Sequence, residues 1–587
     1  MPQFALIVEQ GTADRDVMRL QNVLEFFGVP CERVSVAEMA RAAQGSRTLE
    51  GYAIFAAVDV LSAALADARS AKIVRSAVAV YTHTTAHIEL SNRALAAIAG
   101  PEWSLHAGFE GTATFTVTET APEMTGAMSG LTVNAGTSAH EARLVRSAHA
   151  PSHVVPPGSN AHDMQVIVSA NGRPAFARFA FDGVPTYICA SGEVVDLDEP
   201  VRRGSFDVKD HFLQAVPLVM FITATFRDVM WRPQEHGACL IIDDPLLKRR
   251  YGFCDFTRLR DDMRRHGFTT NIAFIPWNWR RTTRSGGELF RRDSDIFSVS
   301  IHGCDHVKAE FGRPSMEAID AAASLAQTRM RHHRDRTNIR HEPVMVFPQG
   351  AFSSICPGIL KRNEFIAAVN TEVSPVDGDK TLLRDVWDVA ILRYGSFGVF
   401  TRRYEHHGLE NFAFDLLLGK PCFIVAHHDF FRDKGARLLE LVARLSKLGQ
   451  DLHWRSPAEV IRRSCRRRTG RDGAIEFQMY GTELIVPKSP NAPGSVRVFK
   501  RETDPVALAD VLSNGNTVPW VHESGYVQFN LDISTTTDTL VSLRYEPMAS
   551  TRPRSLSLRA QAKIAVRRLL SEIRDEIVHK VLVPRIP

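Results

Sequence analysis

Between residues 238 and about 465 short apolar runs recur: CLIID, TNIAFIP, FSVSIHG, VMVFPQG, FIAAVNT and CFIVAHHD. Each ends in polar or Gly/Pro-rich residues, and helical spacing fills the stretches between them. Runs of this length bounded by turn residues predict buried strands. Their alternation with helices predicts a parallel α/β sheet or barrel. Upstream, FALIV (4–8), CERVSV and YAIFAAV read as strands, and DRDVMRLQNVLEFF (14–27) as a helix stopped by Gly28. From about 110 the texture changes to short alternating strands. HFLQAVPLVMFITATFRDVMWR (211–232) reads as a helix leading into the next domain. Residues 474–547 are β-patterned and cut by Pro and Gly turns, which predicts a small β-sandwich. Residues 556–583 read as a helix.

The expected organisation is therefore α/β. A flavodoxin-like α/β domain with a β-rich extension covers 1–205, a (β/α) barrel 206–472 and a β-sandwich-like domain 473–550. A basic amphipathic helical tail covers 551–587. A chain of 587 residues is too long for one ordinary core. The first domain loosely resembles amidotransferase-like flavodoxin folds, without their Gly-x-Cys-x-Gly nucleophile elbow, and it carries no GxGxxG or P-loop motif.

Composition narrows the function little. Net charge is only +5 and is not gathered in one domain, which argues against a nucleic-acid binder. The 8 cysteines are scattered without a CxxC pair and read as reduced core thiols. MPQFALIVEQGTADRD lacks the basic and apolar regions of a signal peptide, and no apolar run reaches the ~20 residues of a bilayer span. The expectation is a cytoplasmic protein.

Chemistry enters at the predicted strand ends. Asp243-Asp244 closes the first run, and two adjacent carboxylates there repel unless a cation or a proton stands between them. His302 and His306, four apart in SIHGCDH, can share one metal ion, and a carboxylate from another strand end completes a set of two His and one carboxylate. Asp244 suits that role, leaving Asp243 for proton transfer. Pro348-Gln349-Gly350 and His427-His428-Asp429 end later strands. Alone, each pair is weak; together, at successive strand ends, they point to one site.

Asp243-Asp244, His302-Gly-Cys-Asp-His306, Phe347-Pro348-Gln349-Gly350 and Val425-Ala-His-His428-Asp429 occur in the order of the motifs of NodB-type polysaccharide deacetylases, and the stretch 235–465 resembles that family. The resemblance implies a distorted (β/α) barrel and a metal-dependent carbohydrate esterase. By its pattern Asp243 is the base, Asp244, His302 and His306 hold the metal, and His428, with His427 second, is the acid. Two departures stand out. Val346 replaces the Arg that many relatives place before the motif Pro to orient the base, and two histidines replace one in the last motif. In the candidate fourth motif, 385–397, Asp385 or Asp388 would support the acid and Arg393 would replace the lost Arg.

The reaction so implied is hydrolysis of an acetamide on an amino sugar of a polysaccharide or glycoconjugate. The cation makes water acidic, from pKa ~15.7 towards ~7, and polarises the carbonyl. Asp243 takes a proton, His428 gives one to the leaving amine, and a backbone N–H near Pro348-Gln349-Gly350 assists. Zn²⁺ suits the ligands, and Co²⁺ or Ni²⁺ would serve. Trp277, Trp279 and Tyr394 are candidate sugar-stacking rings, Arg280 and Arg281 candidate anion contacts, and Lys248 to Tyr251 candidate lip residues. Two alternatives remain: a glycoside or cyclic-amide hydrolase on a related barrel, and a non-catalytic glycan-binding protein. IRRSCRRRTGR (461–471) reads as a solvated linker. In the tail, Val566, Leu569, Leu570, Ile573, Ile577 and Val581 share a helical face opposed by Lys563, Arg567, Arg568 and Arg574. That pattern suits either packing on the protein or docking on an anionic membrane surface.

Overall fold

The computed structural model describes residues 1–11, 14–43, 51–107, 111–137, 141–146, 164–201, 204–378, 380–449, 451–488, 494–548 and 557–578. Val581 lies outside them, and the side chain of Ile577 is not described. The chain divides into two compact units, 1–199 with 207–232 and 200–206 with 233–587.

In the first unit Cys31–Ser35, Phe4–Glu9, Tyr52–Ala57, Ala79–His83 and Val184–Cys189 form the parallel part of one sheet. Arg173–Phe181, Gln165–Ala170, Thr112–Val117 and Thr132–Gly136 continue it antiparallel. Apolar side chains such as Leu6, Ile54, Val80, Leu95 and Ile188 fill its core. The helix Phe212–Thr225 belongs to this unit. Ten of its 14 residues are buried and apolar, as a largely enclosed helix requires.

In the second unit seven parallel strands close a barrel. They are β1 (His236–Asp243), β2 (Thr270–Phe274), β3 (Phe297–His302), β4 (Val344–Val346), β5 (Ala367–Asn370), β6 (Val399–Arg403) and β7 (Cys422–Ala426). They pair in that order, and β7 and β2 both pair with β1. Being buried on both faces, the strands are mainly apolar, with Thr270, Asn271, Ser298 and Ser300 interrupting β2 and β3. β6, VFTRR, departs furthest, with two arginines. Because all seven run parallel, their C-terminal ends share one face.

Two further sheets share the core of Phe477, Met479, Val498, Val511 and Val541. One contains Cys465–Thr469, Ile475–Met479, Ser495–Arg501 and Tyr526–Asp532. The other contains Glu483–Val486, Thr539–Tyr545 and Leu508–Ser513. The basic stretch expected as a linker is thus helix end and strand. Arg466 is buried and pairs with Asp388 at 3.2 Å, because strand pairing with 475–479 draws alternate side chains inward. The tail forms a helix, Leu558–Ile573, continued by a π-helical turn, Arg574–Val578. Among the described residues no helix is long and apolar enough to cross a membrane.

Candidate metal centre

β1 ends at Asp243 and β3 at His302, so parallel pairing through β2 brings the two ends to one rim. Asp244, just past β1, takes φ +81°. Its Oδ1 stands 3.1 Å from His306 Nε2 and 3.5 Å from His302 Nε2. The ligand atoms of Asp244, His302 and His306 all lie within 4.8 Å of one another. That oxygen is buried without a hydrogen bond of good geometry. Two imidazole nitrogens and a carboxylate oxygen turned on one point are the donor set of a divalent transition-metal site, so these residues fit such an ion.

The loop after β3 is braced to hold this arrangement. His302 Nδ1 lies 3.0 Å from the Val346 carbonyl, which can only accept, so the ring proton stands on Nδ1 and Nε2 offers its lone pair. The buried Glu310 carboxylate accepts the backbone N–H groups of Cys304, Asp305 and His306 at 2.9 to 3.1 Å. This clasp keeps His306 at φ +55°, a conformation that costs energy for a non-glycine residue. Gly303, at φ +64°, has no room for a side chain, since a Cβ there would fall 2.4 Å from Pro348 Cγ. Cys304, Asp305 and Glu310 also cluster. Glu310 is engaged with the backbone, though, and Asp305 pairs with Arg329 at 2.6 Å, so this group serves as a brace.

Asp243 receives both terminal nitrogens of Arg402, from β6, at 2.7 Å each. Burial pushes its carboxyl upward, but Arg402 and His302 outweigh that and hold it below the ordinary range. For Asp244 the same contest, burial against His306 and His302, ends with the carboxyl well below its usual value. His302 is depressed by burial and raised more strongly by Asp243 and Asp244.

His428 is buried between rings: Phe253 stacks on it at 6.1 Å and Tyr251 meets it edge-on at 5.7 Å. Gly252 permits this, because a Cβ there would lie 2.3 Å from His428 Nδ1. His428 Nε2 is 3.5 Å from Asp575 Oδ1. His427 stacks on Tyr404 at 6.1 Å and lies on the Asp243 side, where it helps hold that carboxyl down.

The remaining candidates are placed as follows. Arg393 lies 3.8 Å from Asp385, and Asp243 is paired with Arg402. Asp388 takes Tyr480 and Arg466, and Asp385 caps a helix through the Leu382 N–H. Both carboxylates are thus engaged with partners other than His428. Tyr394 is buried with its hydroxyl 2.8 Å from Thr381 Oγ1, so its ring belongs to the core. Trp277 lies under Arg329, and Trp279 packs against Arg280 and His332. Pro348 and Gly350 are buried in a tight turn that leaves the Gln349 side chain exposed. The Gly350 and Ala351 N–H groups are engaged within that turn. Arg281 and Lys248 both hold Glu572 of the tail helix.

Arg402, Glu310 and Asp575 escaped the reading of the sequence. The first lies in a strand too polar to be recognised, the second in a loop, and the third in the tail.

No family model matches the chain, and no curated protein matches it by sequence. A family 4 carbohydrate esterase from Streptomyces lividans, in complex with acetate, aligns over 37% of this chain and 88% of its own, at 13% identity and TM-score 0.22. A CE4 esterase from Streptococcus mutans aligns over 38% and 86%, at 13% identity and TM-score 0.24. A beta-galactosidase from Bacillus circulans aligns over 38% and 30%, at 12% identity and TM-score 0.22.

Proposed function

We propose that the barrel is a divalent-metal-dependent amidohydrolase that removes acetyl groups from an amino sugar of a polysaccharide or glycoconjugate intermediate. The observation that carries this reading is the juxtaposition of Asp244, His302 and His306 with Asp243, at the strand-end rim of a closed parallel barrel. A bound Zn²⁺, held by those three side chains, would supply Lewis acidity to a water and to the amide carbonyl. Asp243, next in the chain to Asp244, accepts the proton of the attacking water. Arg402 keeps that carboxylate ionised and fixes its plane. His428, clamped by Tyr251 and Phe253, gives a proton to the departing amine. His427 adds to the charge that holds the base ionised. The products are acetate and a free amino sugar.

The substrate is a carbohydrate, not a nucleic acid. Seven of the eight cysteines are buried and all eight are free thiols, which suits a reducing, cytoplasmic compartment.

The test is metal content and acetate release from N-acetylglucosamine oligomers, on Zn²⁺-reconstituted wild type and on His302→Ala/His306→Ala. About one Zn²⁺ per chain, lost with acetate release in the double variant, supports the reading. Equal metal in both proteins sinks it.

A further inference from the structure

The tail helix is turned the wrong way round for a helix packed on a domain. At 3.6 residues per turn, Ile564, Arg568, Glu572 and Asp575 form one stripe, and this mostly charged stripe faces the barrel. Arg568 Nη2 is 3.3 Å from His306 Nδ1, and Asp244 is the carboxylate that most favours its charge. Asp575 takes the Tyr251 hydroxyl at 3.0 Å and lies against His428. Glu572 takes Lys248 and Arg281, and Glu576 takes Lys248 at 2.9 Å. Every group held here belongs to the candidate site or its lip.

The opposite face is apolar and open. Val566, Leu569 and Leu570 are each more than half exposed, and Leu558 and Ile573 are exposed too. They cover roughly a third of the circumference. Arg559, Lys563, Arg567 and Arg574 are exposed around this arc. The three acids of the described tail, Glu572, Asp575 and Glu576, are held by Lys248, Arg281, Tyr251 and Arg574, so beside Ser557 and Gln561 what the helix offers outward is hydrocarbon and positive charge. An anionic lipid surface complements both.

We propose that the tail helix is a plug drawn off by an anionic bilayer: its charged face stoppers the barrel mouth, and its apolar, cationic face docks on lipid. The part concerning what is stoppered rests on the metal-hydrolase reading. Arg568 places a fixed positive charge beside the ligands a cation needs, so a seated helix opposes loading of the site. Seated, it also keeps Asp575 on His428. A helix lying in the lipid interface gives Arg568 a headgroup phosphate in exchange for His306. The bilayer therefore binds the released helix better than the seated one, and that difference drives opening.

The experiment uses the full chain: wild type, Arg568→Ala and Leu569→Ser/Leu570→Ser. Co²⁺ is titrated by its visible absorption without vesicles, with phosphatidylcholine vesicles and with vesicles half phosphatidylglycerol. Vesicle co-sedimentation and hydrogen exchange at 248–252 are followed in parallel. Wild type is expected to bind Co²⁺ at least ~10-fold more tightly on the anionic vesicles only, with loss of protection at 248–252. Arg568→Ala is expected to bind tightly without vesicles. Leu569→Ser/Leu570→Ser is expected neither to sediment with vesicles nor to respond to them. Protection at 248–252 unchanged by anionic vesicles overturns the plug. Undiminished sedimentation of the serine variant overturns the docking face. If no protein binds Co²⁺ while anionic vesicles still deprotect 248–252, the plug stands and the metal reading falls.

Discussion

Removing Arg402 tests how Asp243, the proposed base, is held. The pair with Asp243 is bidentate at 2.7 Å, and the two side chains are 3% and 4% exposed. Arg402→Met leaves a buried carboxylate without its partner, a change that costs roughly 3–5 kcal/mol. The unit holding the barrel has about 360 residues. At ~2.1 cal/mol/K per residue its melting entropy is ~0.75 kcal/mol/K, so its Tm should fall by ~4–7 °C at pH 7. Asp243→Asn/Arg402→Met removes both charges and should recover most of the loss. The pH dependence has a definite sign. In the wild type the folded Asp243 carboxyl lies below its ordinary value. The pair's contribution is therefore complete above the unfolded pKa of ~3.9 and is lost as pH falls through the folded value. In the Arg402→Met variant burial is opposed only by weaker partners such as His302, and the carboxyl moves up. Destabilisation then grows as pH rises through the carboxylate range. Melting of metal-free protein in EDTA should show a wide gap between wild type and variant at pH 7 and a narrow one near pH 3.5. A gap under ~1 °C at pH 7, or one indifferent to pH, would refute the account.

Glu310→Gln removes the anion that gathers three backbone N–H groups around His306. Calorimetric titration should show cation affinity down ~10–100-fold with the circular dichroism spectrum unchanged. His428→Ala should lower kcat for acetate release by ~10²–10⁴. His427→Ala should instead move the acidic limb of the kcat/KM profile. Losing a neighbour that holds Asp243 down moves that carboxyl, and with it the acidic limb, to higher pH. Equal profiles for the two histidine variants would remove the distinction between them.

The parts of the site legible in the sequence are those that a local pattern encodes. Asp243-Asp244 closes an apolar strand, and His302 and His306 are four apart, so spacing alone suggests that they meet. The closed barrel is legible for a similar reason, since strands buried on both faces spell apolar runs. β6 is the exception that proves costly. VFTRR breaks the apolar rule because Arg402 and Arg403 each have a buried carboxylate, Asp243 and Asp415, to neutralise them. Those partners lie 159 and 12 residues away, and a propensity reading sees the charges without the partners. Cys465–Thr469 misleads for the same reason, its Arg466 being matched by a distant Asp388. Glu310 and Asp575 act through contacts that no spacing rule anticipates.

Asp243 and His428, the proposed base and acid, differ in how their supports are built, and the difference bears on control. Arg402 rises from a barrel strand, locked by register to β5 and β7. It stays beside Asp243 in any state in which the barrel is closed. Asp575 belongs to a helix whose described contacts with the lip and site are side-chain ones. Its hold on His428 is therefore separable from the fold. Val346 leaves β4 without a charge to offer, and β6 supplies the arginine from two strands away. The ring clamp on His428 is tied to the same helix, since Tyr251 gives its hydroxyl to Asp575. Release of the helix therefore loosens the clamp along with the carboxylate, while Asp243 and Arg402 stay paired; on the proposed reading the proton acceptor is permanent and the setting of the proton donor is what the tail controls.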